Sequence, residues 1–184
     1  RKVLKMGQQG KHLNSIKVSH EKHTAGCATE IMAIPETVCI SMSQHIGAPC
    51  KPLVKKGDQV KVGQLIGDTD AFVSAPIHSS VSGTVKEIST IRSVTGGEDQ
   101  VVIIETDGNQ DVCEEIKPPV INDMKDFIAA VRASGLVGLG GASFPTHIKL
   151  NPKNLEEVDT LIVNAAECEP FITSDHRLML ENTE

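Results

Sequence analysis

No tryptophan and no tyrosine occur among the 184 residues, and phenylalanine occurs only four times. That leaves little for base stacking, on which single-stranded nucleic-acid binders rely. A surplus of basic residues is lacking too: 18 Lys and Arg stand against 24 Asp and Glu, for a net charge of −6. Neutralising a phosphate backbone needs the opposite balance. No apolar run approaches the roughly 20 residues of a membrane-spanning helix, and no secretory signal opens the chain. The five cysteines, Cys27, Cys39, Cys50, Cys113 and Cys168, are odd in number and never closely spaced. This pattern fits neither a disulfide framework nor a zinc knuckle, and it has none of the C-x-x-C runs of iron–sulfur proteins. Free thiols in a reducing, cytoplasmic setting are the simplest account. An initiating methionine is absent as well, so Arg1 reads as an artificial or processing boundary.

Apolar residues at 39% and charged residues at 23% describe an ordinary globular chain, long enough for one large domain or two small ones. Residues 1–34 form a polar, basic amino-terminal arm without periodicity. His12, His20, His23 and Cys27 lie in it, and H-x-x-H-x-x-x-C invites a metal reading. Without a closed ligand set, ordinary surface histidines on a loosely ordered arm are the simpler reading.

Residues 35–111 carry short β-type runs. Thr37 to Met42 alternates, Leu53-Val54 leads to a Gly57-Asp58 turn, and Val60 and Leu65 to Gly67 flank a turn at Gly63. Ala75-Pro76 breaks a further run, and Val81 to Val85 and Val101 to Ile104 complete the set. Many short strands with closely spaced turns predict a small barrel or sandwich. Residues 112–121, with Pro118-Pro119, read as a linker. Residues 122–184 have α/β texture. Asn122 is placed to cap a helix in which Met124, Phe127, Ile128 and Val131 form one buried face, and Gly135 stops it. A glycine-rich segment follows from Gly138 to Pro145, and Pro145 opens a short helix carrying Lys149. Thr160 to Val163 reads as a buried strand, an acidic loop from Asn164 to Pro170 as its carboxyl-terminal continuation, and Asp175 to Glu184 as helical. One strand cannot make a covered parallel sheet, so residues 122–184 are expected to be the first part of a domain that continues.

The layout from Val54 to Gly67 and from Ser74 to Val85 resembles the biotinyl/lipoyl carrier fold, a flattened barrel of two similar halves. Those carriers attach their cofactor to a lysine on the hairpin between these segments. The corresponding hairpin here, Asp68 to Val73, contains no lysine, so a structural or docking role is expected in place of acylation. In the glycine segment, closely spaced glycines let successive backbone N–H groups converge on a phosphate, and Lys149 adds a point charge. A tight turn without a ligand is the alternative. The acidic loop is expected at a strand's carboxyl end, where open α/β sheets bind ligands. There Asn164 offers an amide to a flavin edge, and Glu167 and Glu169 offer acceptors for ribose or nicotinamide groups. A polar loop cap is the alternative for either glutamate.

At these residues a family becomes visible. Gly138 to Leu150 and Asn164 to Pro170 resemble the signatures of RnfC, a component of the Rnf electron-transport complex, and, more distantly, of the NADH-binding flavoprotein of respiratory complex I. Ser43-Gln-His-Ile-Gly-Ala-Pro49 and Asp175 to Leu180 also match RnfC. The resemblance covers roughly residues 33 to 184. It implies a biotinyl/lipoyl-like barrel-sandwich domain followed by the first part of a Rossmann-like FMN- and NADH-binding domain. It further implies an NADH-dependent oxidoreductase subunit passing electrons from FMN to iron–sulfur clusters, in ferredoxin:NAD oxidoreduction coupled to ion transport. Gly138, Gly140, Gly141, Ala142 and Lys149 are then expected at the FMN phosphate and ribityl chain, and Asn164, Glu167 and Glu169 at the flavin or nicotinamide. The implied partners are the other subunits of a membrane-bound complex and ferredoxin-linked carriers, at the cytoplasmic face of the membrane. Two departures stand out: Ala166 occupies a position that is acidic in the complex I flavoprotein, and Ser143 one where glycine is common. Cluster ligands are expected only in a further, carboxyl-terminal part. A related soluble adaptor that feeds a reductase such as proline reductase, and a non-catalytic docking module, are the rival readings.

Overall fold

In the amino-terminal half, alternation of apolar and polar residues builds strands that can close on one another only by burying their apolar faces. The computed structural model describes residues 18–93, 96–139 and 141–183. These divide into two units, one from Glu30 to Val163 and one from the described parts of Arg1–Thr29 and Asn164–Glu184.

Seven strands lie in the larger unit: β1 (Thr37–Ser41), β2 (Lys51–Pro52), β3 (Gln59–Val60), β4 (Leu65–Asp68), β5 (Ile77–His78), β6 (Gly83–Arg92) and β7 (Glu98–Thr106). They form a four-stranded sheet in the order β1-β7-β6-β3 and a three-stranded sheet in the order β2-β4-β5, with every pairing antiparallel. β1 lays Ile40 opposite Val102 and Val38 opposite Ile104. The register slips once between Val85 and Glu87, a bulge that bends the long β6–β7 ribbon. Met42, Ile66, Val85, Val102 and Ile104 are wholly buried and pack with Ile40, Val60, Ile77 and Val81. This is the barrel-sandwich expected from the strand pattern. β5, placed immediately after Pro76, and the extension of β6 as far as Arg92 were not anticipated.

The 112–121 segment is partly stitched to the barrel. Val62 donates to the Asp111 carbonyl at 2.8 Å, Cys113 donates back to Val62 at 2.9 Å, and Lys61 pairs with Glu114 at 3.0 Å. Helix α1 (Met124–Ala133) follows. Its cap is Asp123, not Asn122: the Asp123 carboxylate accepts from the Asp126 N–H at 2.8 Å, while Asn122 donates to the Asp126 carboxylate from both its backbone and its side chain. An acid at either end of that exchange also suits the positive end of the helix. Phe127, Ile128 and Val131 are half-buried and Met124 is exposed, so the expected buried face is only partly covered. Gly135 stops the helix at φ +72°, and its missing side chain lets the turn lie against the barrel: a Cβ there would meet the Pro76 carbonyl oxygen at 2.5 Å.

The expected strand at Thr160 to Val163 does not form. Leu161, Ile162 and Val163 are 77%, 84% and 79% exposed. A strand is defined by its ladder, and no neighbouring strand among the described residues offers one.

In the second unit, α3 (Ser174–Glu181) packs with the described end of the amino-terminal arm. Lys22 donates to the Ile172 and Glu169 carbonyls at 2.6 and 3.0 Å, Thr24 bonds Thr173 at 2.6 Å, and the Thr29 N–H donates to Glu181 at 3.0 Å. Residues 18–29 are therefore held, contrary to the loose arm expected. His12 lies outside the described residues. Among the described residues no three His, Cys, Asp or Glu side chains gather as a metal site would require.

Candidate functional site

The glycine segment leaves α1 through Leu136 and Val137 and returns through Pro145 into the short helix α2 (Thr146–Lys149). Its base is closed like a hairpin. Gly138 donates to the Phe144 carbonyl and Thr146 to the Leu136 carbonyl, both at 3.0 Å, and Val137 bridges Pro145. Pro145 is fully buried, which anchors the return. α2 carries Lys149 back toward the start of the loop, so that a Cβ on Gly138 would lie 2.8 Å from the Lys149 ammonium. Only a glycine leaves that approach open. The same ammonium stands 5.9 Å from the centre of the Phe144 ring. Among the described residues it has no carboxylate partner. Gly141 holds φ +128°, and Ser143 takes φ +50°, a left-handed conformation that glycine would adopt with less strain. Gly140 lies outside the described residues. Gly138, Gly141, Ala142 and Lys149 thus share one loop, in which a cation without an anion faces exposed backbone.

The barrel reaches this loop. The Ile46 N–H donates to the Ala142 carbonyl at 3.2 Å. Residues 43–46 and 141–143 line the two walls of an open groove of about 330 Å³. Sequence reasoning gave the 43–49 run a family match but no task, because its contact with Ala142 joins residues far apart in the chain.

In the other unit, Asn164 folds its amide oxygen onto the Ala166 N–H at 3.1 Å. Glu167 sits at φ +57° and turns its carboxylate to the start of α3, accepting from the His176 and Asp175 N–H groups at 3.1 and 3.4 Å and from the Ser174 hydroxyl at 3.5 Å. Asp175 answers by accepting from the Glu167 N–H at 3.2 Å. Burial pushes the Glu167 carboxyl up, but the hydrogen bonds from His176 and Asp175 outweigh it and the net shift is downward. The Glu169 carbonyl accepts from Lys22, and its side chain is exposed. For Glu167 the structure therefore shows the loop-cap role.

A barrel with no lysine on its carrier hairpin, continued by a glycine loop with an unpaired cation, defines a barrel-sandwich module joined to the opening of a flavin-binding domain. Comparison with known proteins agrees. Residues 11–109 match the RnfC barrel sandwich hybrid domain, and residues 131–184 match the Nuo51 FMN-binding domain. The chain is 45% identical over 186 aligned residues to the RnfC protein of the proton-translocating ferredoxin:NAD(+) oxidoreductase complex of Clostridium ljungdahlii, covering 99% of this chain and 40% of that protein. It is 48% identical over 153 residues to the counterpart in the Na(+)-translocating complex of Acetobacterium woodii, covering 82% and 34%. It is 36% identical over 170 residues to the counterpart in the ion-translocating oxidoreductase complex of Rhodobacter capsulatus, covering 90% and 33%. The chain belongs to the RnfC family, and it spans well under half the length of these relatives.

Proposed function

We propose that the full-length protein is the electron-transfer subunit of an ion-translocating ferredoxin:NAD oxidoreductase complex, taking electrons from NADH and passing them through FMN to iron–sulfur clusters. In this reading Gly138, Gly140, Gly141, Ala142 and Lys149 hold the phosphate and ribityl chain of FMN, and Asn164, Glu167 and Glu169 serve the flavin or nicotinamide side. The observation that carries it is the Lys149 ammonium folded over Gly138, with no carboxylate partner among the described residues. An unpaired cation beside glycine backbone suits a phosphate, which it meets as a point charge. FMN, when bound, supplies the exchange between a two-electron donor and one-electron acceptors.

The chain's own residues bind and orient. Lys149 neutralises the phosphate, the loop backbone offers N–H donors, and Glu167 fixes the acidic loop through its turn, since its carboxylate already serves α3. Cluster ligands would lie in the part of the full-length protein outside these 184 residues. No helix among the described residues is long and apolar enough to cross a membrane. Attachment to the cytoplasmic face through partner subunits is accordingly part of the proposal.

FMN titration of the full-length protein tests the site. Lys149→Ala should weaken binding by about 1–3 kcal/mol, the worth of a charge-assisted hydrogen bond. Gly138→Val, which displaces Lys149, should weaken it as well. Undiminished FMN affinity in both variants would remove the glycine segment from the site.

A further inference from the structure

His45 is a buried imidazole, 8% exposed, that sits on the barrel and not in the glycine segment. Both of its ring nitrogens are engaged by backbone. Nε2 lies 3.2 Å from the Ala75 nitrogen, and Nδ1 lies 3.2 Å from the Ile46 carbonyl oxygen. An amide N–H only donates, so Nε2 is the acceptor and the ring proton resides on Nδ1, donating to Ile46. The Cys50 sulfur touches the same Nε2 at 3.5 Å and donates to the Ala75 carbonyl at 3.2 Å. A polar ring in a core costs free energy unless its hydrogen bonds are made, and an aliphatic side chain would fill the space without that demand. What the imidazole adds is a brace between two backbone segments thirty residues apart.

The brace ends at the peptide that grips the glycine segment. With the Ile46 carbonyl held by Nδ1, the neighbouring Ile46 N–H points at the Ala142 carbonyl. That bond ties the ligand end of the loop to the barrel, whereas the Gly138–Phe144 and Leu136–Thr146 bonds close only its base.

We propose that His45 is a positioning residue for the flavin site, holding Ile46 so that its N–H fixes the Ala142 end of the glycine segment in the conformation that receives the phosphate. The inference rests on the FMN reading above. The experiment uses full-length protein with three variants: His45→Ala, His45→Gln, whose amide can place an acceptor near the Nε2 position, and Lys149→Ala. FMN affinity is read by titration, and amide hydrogen exchange is read in the flavin-free protein. Expected for His45→Ala are an FMN Kd raised at least tenfold and lost protection at the Ile46 amide, with the β7 amides of Val102 and Ile104 still protected. His45→Gln should recover most of the affinity and the Ile46 protection. An FMN Kd within twofold of the parent in His45→Ala overturns the proposal. So does loss of β7 protection along with Ile46, which would make the ring a mere core-filler, and so does a glutamine variant no better than alanine. If Lys149→Ala leaves FMN affinity unchanged, the FMN reading fails by itself. The brace is then decided by exchange alone, its loss at Ile46 in His45→Ala supporting it and its retention overturning it.

Discussion

The barrel and the helical segment that follows it use the same kinds of apolar side chain to different ends. Met42, Ile66, Val85 and Ile104 are fully buried within the barrel, whereas α1 contains no buried residue and keeps its apolar face only half-covered. The barrel's strands complete one another, and its core needs nothing from elsewhere. α1 is held by particular contacts instead: Arg132 reaches the Asp68 carboxylate at 2.9 Å and the Thr69 carbonyl at 3.0 Å, and Gly135 lies against Pro76. A segment that carries a binding loop can thus be placed by a few directed contacts on a neighbour whose stability is its own.

The sharpest way to break this comparison is to cut matched side chains from the two regions. Ile104→Ala should cost about 3 kcal/mol, the usual loss for a large-to-small change in a closed core. Ile128→Ala, on the half-covered face, should cost about 1 kcal/mol or less. Urea unfolding followed by far-ultraviolet circular dichroism measures both, and equal losses would erase the distinction.

Asp68→Asn should come next, at about 1 kcal/mol, because the ion pair with Arg132 is partly exposed. Burial raises the Asp68 carboxyl, but the bonds from Arg132 and Thr69 more than reverse this and its pKa is lowered from 3.8. A depressed carboxyl contributes stability above its unfolded value and loses it as the pH falls through the folded one. The wild-type advantage over Asp68→Asn should therefore persist at neutral pH and fade below about pH 4. An advantage that stays constant down to pH 2 would deny the pair its role.

A smaller effect belongs to the histidines beside α1. Burial lowers the His78 pKa from 6.5 against the pull of Asp68, and burial together with Arg132 lowers that of His147. The unfolded chain then binds more protons, so stability should decline as the pH falls below about 6.5 and stay flat above it. His78→Asn should flatten part of that decline in melting temperature recorded from pH 7.5 to 5. An unchanged slope would show that His78 does not contribute. The smallest expected effect is none at all: expression beside lipoyl and biotinyl ligases should leave the intact mass unaltered, and any added cofactor mass would contradict the docking role of the lysine-free hairpin.

The barrel was legible in the sequence because alternation and turn glycines are local signals, as at Thr37 to Met42 and Gly57-Asp58. β5 escaped notice because two residues behind a proline carry no period. The helix of residues 124–133 and its stop at Gly135 were legible too, and the cap was displaced by one residue because Asn122 and Asp123 offer the same chemistry. Thr160 to Val163 misled because an apolar β-branched run reports propensity, whereas a strand requires a partner. At the site, the pairing of Gly138 with Lys149 could be anticipated from one helical turn of spacing. The capping by Glu167 could be foreseen only as one of two readings. The brace at His45 could not be seen at all, because it depends on backbone atoms of Ala75 and Ile46 that only folding brings together.

The hairpin from Asp68 to Val73 bears on how cargo can move. In a swinging-arm carrier the barrel is a handle, and the group on its hairpin travels between reaction centres. Here the root of that hairpin is clasped by the Arg132 guanidinium, and there is no amine from which an arm could hang. The barrel has ceased to be a vehicle and become a mounting. Whatever is exchanged at this module must arrive at a stationary place, and the distances to its neighbours are set by assembly instead of by the length of a tether.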